Sequence, residues 1–424
     1  MSGKYVKLGD VCDYITTGKL DANAASDSGA YPFFTCSAEP LKIDTYAYDD
    51  DVIILAGNGE FYLFNYCGKF NAYQRNYILK INKNYSKEYI FYCLKQAITG
   101  LKQKSQGSII KFLTIGMIRN VPIKDIPYEE QKNIADHISS LDRKISLNQQ
   151  LNDNLEAMAQ ALYDYWFVQF DFPDENGRPY KSSGGKMVWN EELKREIPDG
   201  WQVKTIKEVV NTCLGGTPAT SNEEYWKGGD IPWVSSGDLE SNPLLKVSGY
   251  ITQKGLHNSA TKLMPKGTVV VSLVRYIRPA ILGVSAAGNQ SVVGLMENDH
   301  FPNCFLYPYI KSNVSFLMQL RSGAQQPHIN KEIVDSMYVA FPLQSHLMKR
   351  YIKQASPLYI KMLFVAQENE ILETQRDFLL PLLMSGQVQV KPQGELNYHL
   401  AAHVVGWFPI EIIVLIFAGG DRGD

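Results

Sequence analysis

The chain has 424 residues, of which 45% are apolar and 20% charged. That composition excludes a disordered, collagen-like or multi-span membrane protein, and at roughly 100–200 residues per domain it leaves room for two or three domains. With 42 Lys and Arg against 44 Asp and Glu, the net charge is −2, so any nucleic-acid contact must come from a local concentration of positive charge.

Residues 1–125 read as a strand-rich globular unit. Val52-Ile-Ile-Leu and Tyr77-Ile-Leu-Lys-Ile are short β-branched runs bounded by Gly and Asn. Residues 126–170 open on Pro127-Tyr-Glu-Glu-Gln and predict a helix to about Phe167. In it Ile134, Ile138, Leu141, Ile145, Asn148, Asn152, Leu155, Ala159, Leu162 and Trp166 recur at alternating steps of 4 and 3, the seam of a coiled coil. Residues 171–197, with Pro173, Gly177, Pro179, Gly184 and Gly185, read as a linker. Residues 198–341 hold a second strand-rich unit, marked by Thr268-Val-Val-Val-Ser and Tyr338-Val-Ala-Phe. Residues 342–386 hold a second long helix with seam positions Ala355, Leu358, Met362, Val365, Asn369, Leu372, Arg376, Leu379 and Leu383. Residues 387–424 are a tail. Its apolar run Val404 to Ala418 is interrupted by Pro409 and Glu411 and is short of the ~20 residues that span a bilayer. Met1 to Val11 has no apolar core of a signal peptide. The six cysteines form no CxxC pair and read as reduced thiols of a cytoplasmic protein.

The two halves are copies. Adding 217 to the first seam, from Ile138 to Trp166, reproduces the second. Gln106-Gly107 through Arg119 matches Ser322-Gly323 through Asp335 at an offset of 216, as Tyr73-Gln74 matches Asn289-Gln290. Leu8, Val11 and Gly18 match Ile206, Val209 and Gly216 at 198. The expected fold is α+β: two strand-rich units and two long helices forming an antiparallel coiled coil, with a pseudo-two-fold internal repeat and one unit at each end of the coil. If Ile134 faces Leu383, Asn148 faces Asn369, because both pairs sum to 517. Asn148, Asn152 and Asn369 are the candidate register-setting residues, since a buried polar pair penalises slipped alignments.

Each copy carries a basic stretch. Residues 69–124 hold eleven Lys and Arg against Glu88 alone, and residues 241–296 hold six and no acid. This is the footprint expected for phosphate contacts. Gln and Asn can pair with adenine and Arg with guanine, and both types are interleaved with the basic residues. The candidate DNA-contacting residues of the first copy are Asn58, Tyr73, Gln74, Arg75, Asn76, Lys102, Lys104, Gln106, Ser108 and Lys111. Those of the second are Ser235, Ser236, Arg275, Tyr276, Arg278, Gln290, Gln325, Gln326, His328 and Asn330.

No P-loop, amino-methyltransferase tetrapeptide, Ser/His/Asp arrangement or zinc-ligand spacing is present, so no catalytic or metal-binding residue is assigned. Ala56-Gly-Asn-Gly59 reads as a strand connection.

The run from Leu214-Gly-Gly-Thr-Pro to Ser236-Gly-Asp-Leu239 resembles the opening of a target recognition domain in the specificity subunits of type I restriction–modification systems. Ala56-Gly-Asn-Gly through Gln74-Arg-Asn-Tyr77 is similar to the centre of another. Asn154-Leu-Glu-Ala-Met-Ala-Gln-Ala-Leu162 is similar to the family's central conserved helix, and Leu379-Leu-Pro-Leu-Leu-Met-Ser-Gly386 to its distal one. The resemblance covers residues 4–390. It implies two target recognition domains, each reading half of a bipartite sequence in double-stranded DNA. The helices would act as a ruler and as the docking surface for two modification (methyltransferase) subunits. It implies no cofactor in this chain: S-adenosylmethionine, ATP and Mg would be bound by partner subunits, including a restriction or motor subunit. The tail departs from the family pattern. The competing readings are a divergent DNA-modifying enzyme and a structural coiled-coil adaptor without DNA binding.

Overall fold

The computed structural model describes residues 4–104, 112–323, 327–388 and 390. The tail from residue 391 onward lies outside the described residues, as do Gln106, Ser108, Lys111, Gln325 and Gln326 and the side chain of Lys104. The chain forms two compact units, Met1–Ile145 with Ile371–Asp424, and Ser146–Glu370. Both long helices are present, Tyr128–Tyr163 and Ser345–Ser385, and each contributes residues to both units.

In the first unit a six-stranded sheet runs in the order Cys12–Thr17, Asn76–Ile81, Tyr48–Ala56, Leu63–Ala72, Tyr31–Phe34, Leu41–Ile43. The second half of its strand Tyr48–Ala56, from Val52 to Ala56, reads as an unbroken apolar run because both faces are covered there. Alternation sends Ile53 and Leu55 into one cluster and Val52 and Ile54 into another. The first cluster takes Tyr89, Ile90, Leu94 and Leu101 from the helix Lys87–Lys104. It also takes Ile134, Ile138, Leu379 and Leu383 from the two long helices. Beside it lies Asp142, which accepts from Arg376 Nη1 (2.9 Å), Tyr92 Oη (3.0 Å) and Lys95 Nζ (3.2 Å). Burial opposes ionisation of Asp142, but these neighbours hold its carboxyl below the ordinary range.

The second unit repeats this connectivity. Asn211–Leu214, Val292–Met296, Val269–Ser272 and Pro279–Ile281 form one sheet, and Gly249–Ile251, Ile231–Val234 and Ala287–Gly288 another. The parallel pair Phe34–Ala72 of the first copy becomes Val234–Gly288. The long strand Leu63–Ala72 is split in the second copy into Pro279–Ile281 and Ala287–Gly288, so one sheet becomes two. Most of the extra chain is inserted between Val234 and Val269, where the offset between copies rises from 200 to 216.

Two expectations are corrected. The counterpart of Gly18 is Gly215, not Gly216: Gly18 N–H donates to Asn76 O (3.0 Å) and Gly215 N–H to Val292 O (3.0 Å). A bulge between Cys12 and Tyr14 adds one residue to the first copy and shifts the offset. Residues 171–197 are not a bare linker. Met187–Asn190 and Arg195–Pro198 pair as a hairpin, and Phe170, Phe172 and Ile197 are buried in the core of the second unit. Phe172 stacks on Tyr180 (4.7 Å) and on Trp201 (5.4 Å). The aromatics set among the Gly and Pro residues supply the packing that composition alone hides.

Within the second unit the helices run antiparallel. Asn148 Nδ2 donates to Asn369 Oδ1 (2.9 Å), and Trp166 packs on Tyr351 at 5.6 Å, and both pairs sum to 517. Asn148 also donates to Glu368 Oε2 (2.8 Å). By the same sum Asn152 faces Val365, and its buried Oδ1 has no hydrogen-bond partner among the described residues. Replacing Asn148 and Asn369 together by Leu is expected to raise thermal stability, since an apolar pair of similar volume packs there without desolvated amides. A fall in melting temperature would show that the amide pair itself stabilises the coil.

All six cysteines are free thiols. Burial pushes Cys12, Cys93 and Cys304 each up to about 12, so these are poor nucleophiles.

Candidate nucleic-acid interface

In each copy three chain segments meet where the central strand ends. In the first, the strand Tyr48–Ala56 runs out at Gly57. Gly57 N–H donates to Arg75 O in the turn before Asn76–Ile81 (2.8 Å). Gly57 O accepts from Leu113 N–H in the segment before the helix Ile115–Arg119 (2.8 Å), and Asn58 bridges Phe112. Tyr77 Oη donates to Leu113 O (2.9 Å). Only glycine fits at position 57: a Cβ there would lie 2.3 Å from Arg75 O.

The second copy makes the same junction 216 residues later. Leu273 N–H donates to Ser291 O (2.8 Å), Ile329 N–H to Leu273 O (2.9 Å), and Val274 bridges His328. The bonds that the two junctions share are backbone bonds, so they do not depend on the polar side chains displayed at Asn58, Gln74 and Arg75 or at their counterparts.

In the first unit the junction brings together Asn58, Gln74 and Arg75 around a polar cleft of about 320 Å³, also lined by Gly57, Tyr77 and Leu113. Gln74 and Arg75 are exposed, and Asn58 and Tyr73 half-buried. Asn76 is not a reader. It is fully buried, its Nδ2 donating to Thr35 O (3.0 Å) and its Oδ1 accepting from Cys36 Sγ (3.3 Å), so it ties the sheet to the neighbouring loop. Lys102 is ion-paired with Glu60 at the tip of the strand connection.

In the second unit the junction gathers Arg275, Tyr276, Arg278, Gln290 and His328. Tyr276 is 64% exposed, and the Arg278 guanidinium lies 5.4 Å from its ring centre and 3.3 Å from Glu240 Oε1. Asn289 N–H donates to Val234 O (2.8 Å), which sets Ser235 and Ser236 beside this turn. Ser235 is committed to its own loop, since its hydroxyl and its N–H both donate to Asp238 Oδ2 at 2.7 Å. Gln290 Oε1 accepts from the Thr217 hydroxyl. Asn330 is exposed and also serves the fold. Its Oδ1 caps the helix Lys331–Asp335 by accepting from Ile333 N–H (3.0 Å), as Thr114 caps Ile115–Arg119 through Met117 N–H (3.3 Å).

The charge count overstates the free positive field. Lys80 pairs with Asp50, Lys87 with Asp51, Lys95 with Asp142 and Lys254 with Glu224, all acids outside the two basic stretches. Arg75 and Arg275 form no ion pair among the described residues. Sequence reasoning missed Arg321, which donates to Arg275 O. It lies one residue before the matched Ser322-Gly323, and only its nearness to that match pointed to it. No group of His, Cys, Asp and Glu suited to a metal ion occurs among the described residues, and no described helix is long and apolar enough to cross a membrane.

Two stretches, residues 3–157 and 198–352, match the family model for the type I restriction modification DNA specificity domain. The chain is 30% identical over 386 residues to the type I restriction enzyme EcoDI specificity subunit of Escherichia coli, an overlap of 83% of this chain and 80% of that one. It is 25% identical over 317 residues to the MjaIX specificity subunit of Methanocaldococcus jannaschii, covering 72% and 69%. Its fold is similar to the crystal structure of the type I restriction–modification S subunit from M. genitalium, with a TM-score of 0.57 at 17% identity, covering 90% and 96%.

Proposed function

The chain belongs to the family of type I restriction–modification specificity subunits and holds two DNA-recognition domains, and from that premise we propose that each domain reads one half of a bipartite target through its three-segment junction. The repeated junction carries this reading: one backbone frame, made twice, displays different polar side chains in each copy. Such a frame suits direct reading of base edges, where side-chain identity sets the sequence and the backbone sets the position.

The chain acts without catalysis of its own, in the cytoplasm, on double-stranded DNA. The methyl donor, ATP and Mg are bound by partners: two modification subunits and, where the system also cleaves, a motor subunit. The helices support the number two. Leu147 and Phe364 are 55% and 62% exposed and related by the repeat offset of 217, so each helix presents an equivalent apolar residue to a partner.

Co-expression with the modification subunits, followed by mapping of methylated genomic sites, tests the reading, and a bipartite motif is the expected result. At the finer level, Gln74→Ala and Arg75→Ala are each expected to cost about 1–3 kcal/mol on the cognate half-site and little on random duplex. Equal losses on both, with a salt slope shallower by about 0.9 for Arg75→Ala, would mean that they contact phosphate.

A further inference from the structure

Arg275 has φ +58°, in the left-handed region that side-chain-bearing residues rarely adopt. The same position of the first copy, 216 residues earlier, is Gly59 with φ +73°. The junction therefore demands a left-handed residue here. The first copy meets the demand with the residue that adopts it freely, and the second places an arginine there against the backbone preference.

The surroundings hold the strained residue from both sides. Its N–H donates to Pro327 O (3.0 Å), and its carbonyl accepts from Arg321 Nη1. Arg321 is itself anchored, Nε donating to Met318 O (3.0 Å) at the end of the helix Val314–Gln319. The Arg275 side chain is exposed and makes no hydrogen bond or ion pair among the described residues. Tyr276 stands exposed next to it. Strain held in place by over-determined contacts, beneath a side chain that makes no hydrogen bond or ion pair among the described residues, points to a residue kept for what it touches outside the fold.

We infer that Arg275 reads a guanine in the half-site of the second recognition domain, and that Arg321 is a positioning residue that fixes its backbone. An exposed guanidinium without an acidic partner among the described residues presents two parallel N–H groups, which match guanine O6 and N7. The inference rests on the reading that this domain contacts DNA.

The experiment uses the full chain co-expressed with its modification subunits in a host without other methylation, and reads the motif from the methylated sites. Arg275→Gly should fold at least as well as the wild type, because the new residue suits the left-handed backbone, and its melting temperature should be equal or higher. One G·C position of one half-site should become degenerate, with discrimination there falling about ten- to a hundredfold. The other half-site and the spacer should be unchanged. Arg275→Lys keeps the charge but loses the fork and should relax the same position. Arg321→Met should relax it more weakly, and adding it to Arg275→Gly should cause no further relaxation. An unchanged motif in Arg275→Gly, or relaxation at an A·T position, overturns the guanine assignment. Loss of all methylation in Arg275→Gly with full specificity in Arg275→Lys also overturns it, because a charge on phosphate then accounts for the effect. A wild-type complex with no bipartite motif overturns the underlying reading instead.

Discussion

Leu147→Asp combined with Phe364→Asp is expected to abolish methylation while leaving the chain folded. Both side chains are more than half exposed, so a charge at either costs the isolated fold little. In a docked helix face a buried, unpaired carboxylate costs on the order of 2 kcal/mol or more, roughly thirtyfold in affinity for each partner. Each single change should remove one modification subunit, and the pair both. Mass measurement of the co-purified complex distinguishes the three states. A double variant that still carries two modification subunits would place the docking surface elsewhere.

The second large effect concerns length. Seven residues inserted into each long helix, near Asn148 and Asn369, keep the heptad phase and lengthen the coil by about 10 Å. The preferred spacer between half-sites should then grow by about three base pairs at about 3.4 Å each. A four-residue insertion instead breaks the seam and should loosen spacer choice altogether. Methylation of duplexes whose spacer varies one base pair at a time gives the readout. A folded seven-residue variant with the original spacer would show that the helices do not set the distance.

The long helices were legible because a 4-3 seam is a local, periodic signal. The pairing of Asn148 with Asn369 then follows from arithmetic on heptad phase. The duplication was legible because two copies of one backbone preserve the spacing of buried residues. What escaped was what each polar side chain bonds to once the chain is folded. Asn76 has the chemistry of a base reader, and only the fold shows its amide spent on Thr35 and Cys36. Asn330 looks the same from its side chain, and only the start of a helix turns it into a cap. The basic stretches promised more charge than they present, because their acidic partners Asp50, Asp51 and Glu224 lie outside the windows in which the charge was counted. Arg321 acts through a backbone carbonyl, and no residue pattern announces such a role.

The junction closes through Gly57 N–H, Gly57 O and Leu113 N–H in one copy and through Leu273 N–H, Leu273 O and Ile329 N–H in the other. None of these bonds involves Asn58, Gln74, Tyr276 or Gln290 side chains. A socket fastened by main chain accepts new inserts without refitting. Substitutions at the displayed positions change what is read and leave folding almost untouched, so the two halves of the target can drift independently under selection for new sequences. The fixed points of such a lineage would be the main-chain bonds of the junction and the seams of the helices, and its variable points the few side chains that face the DNA.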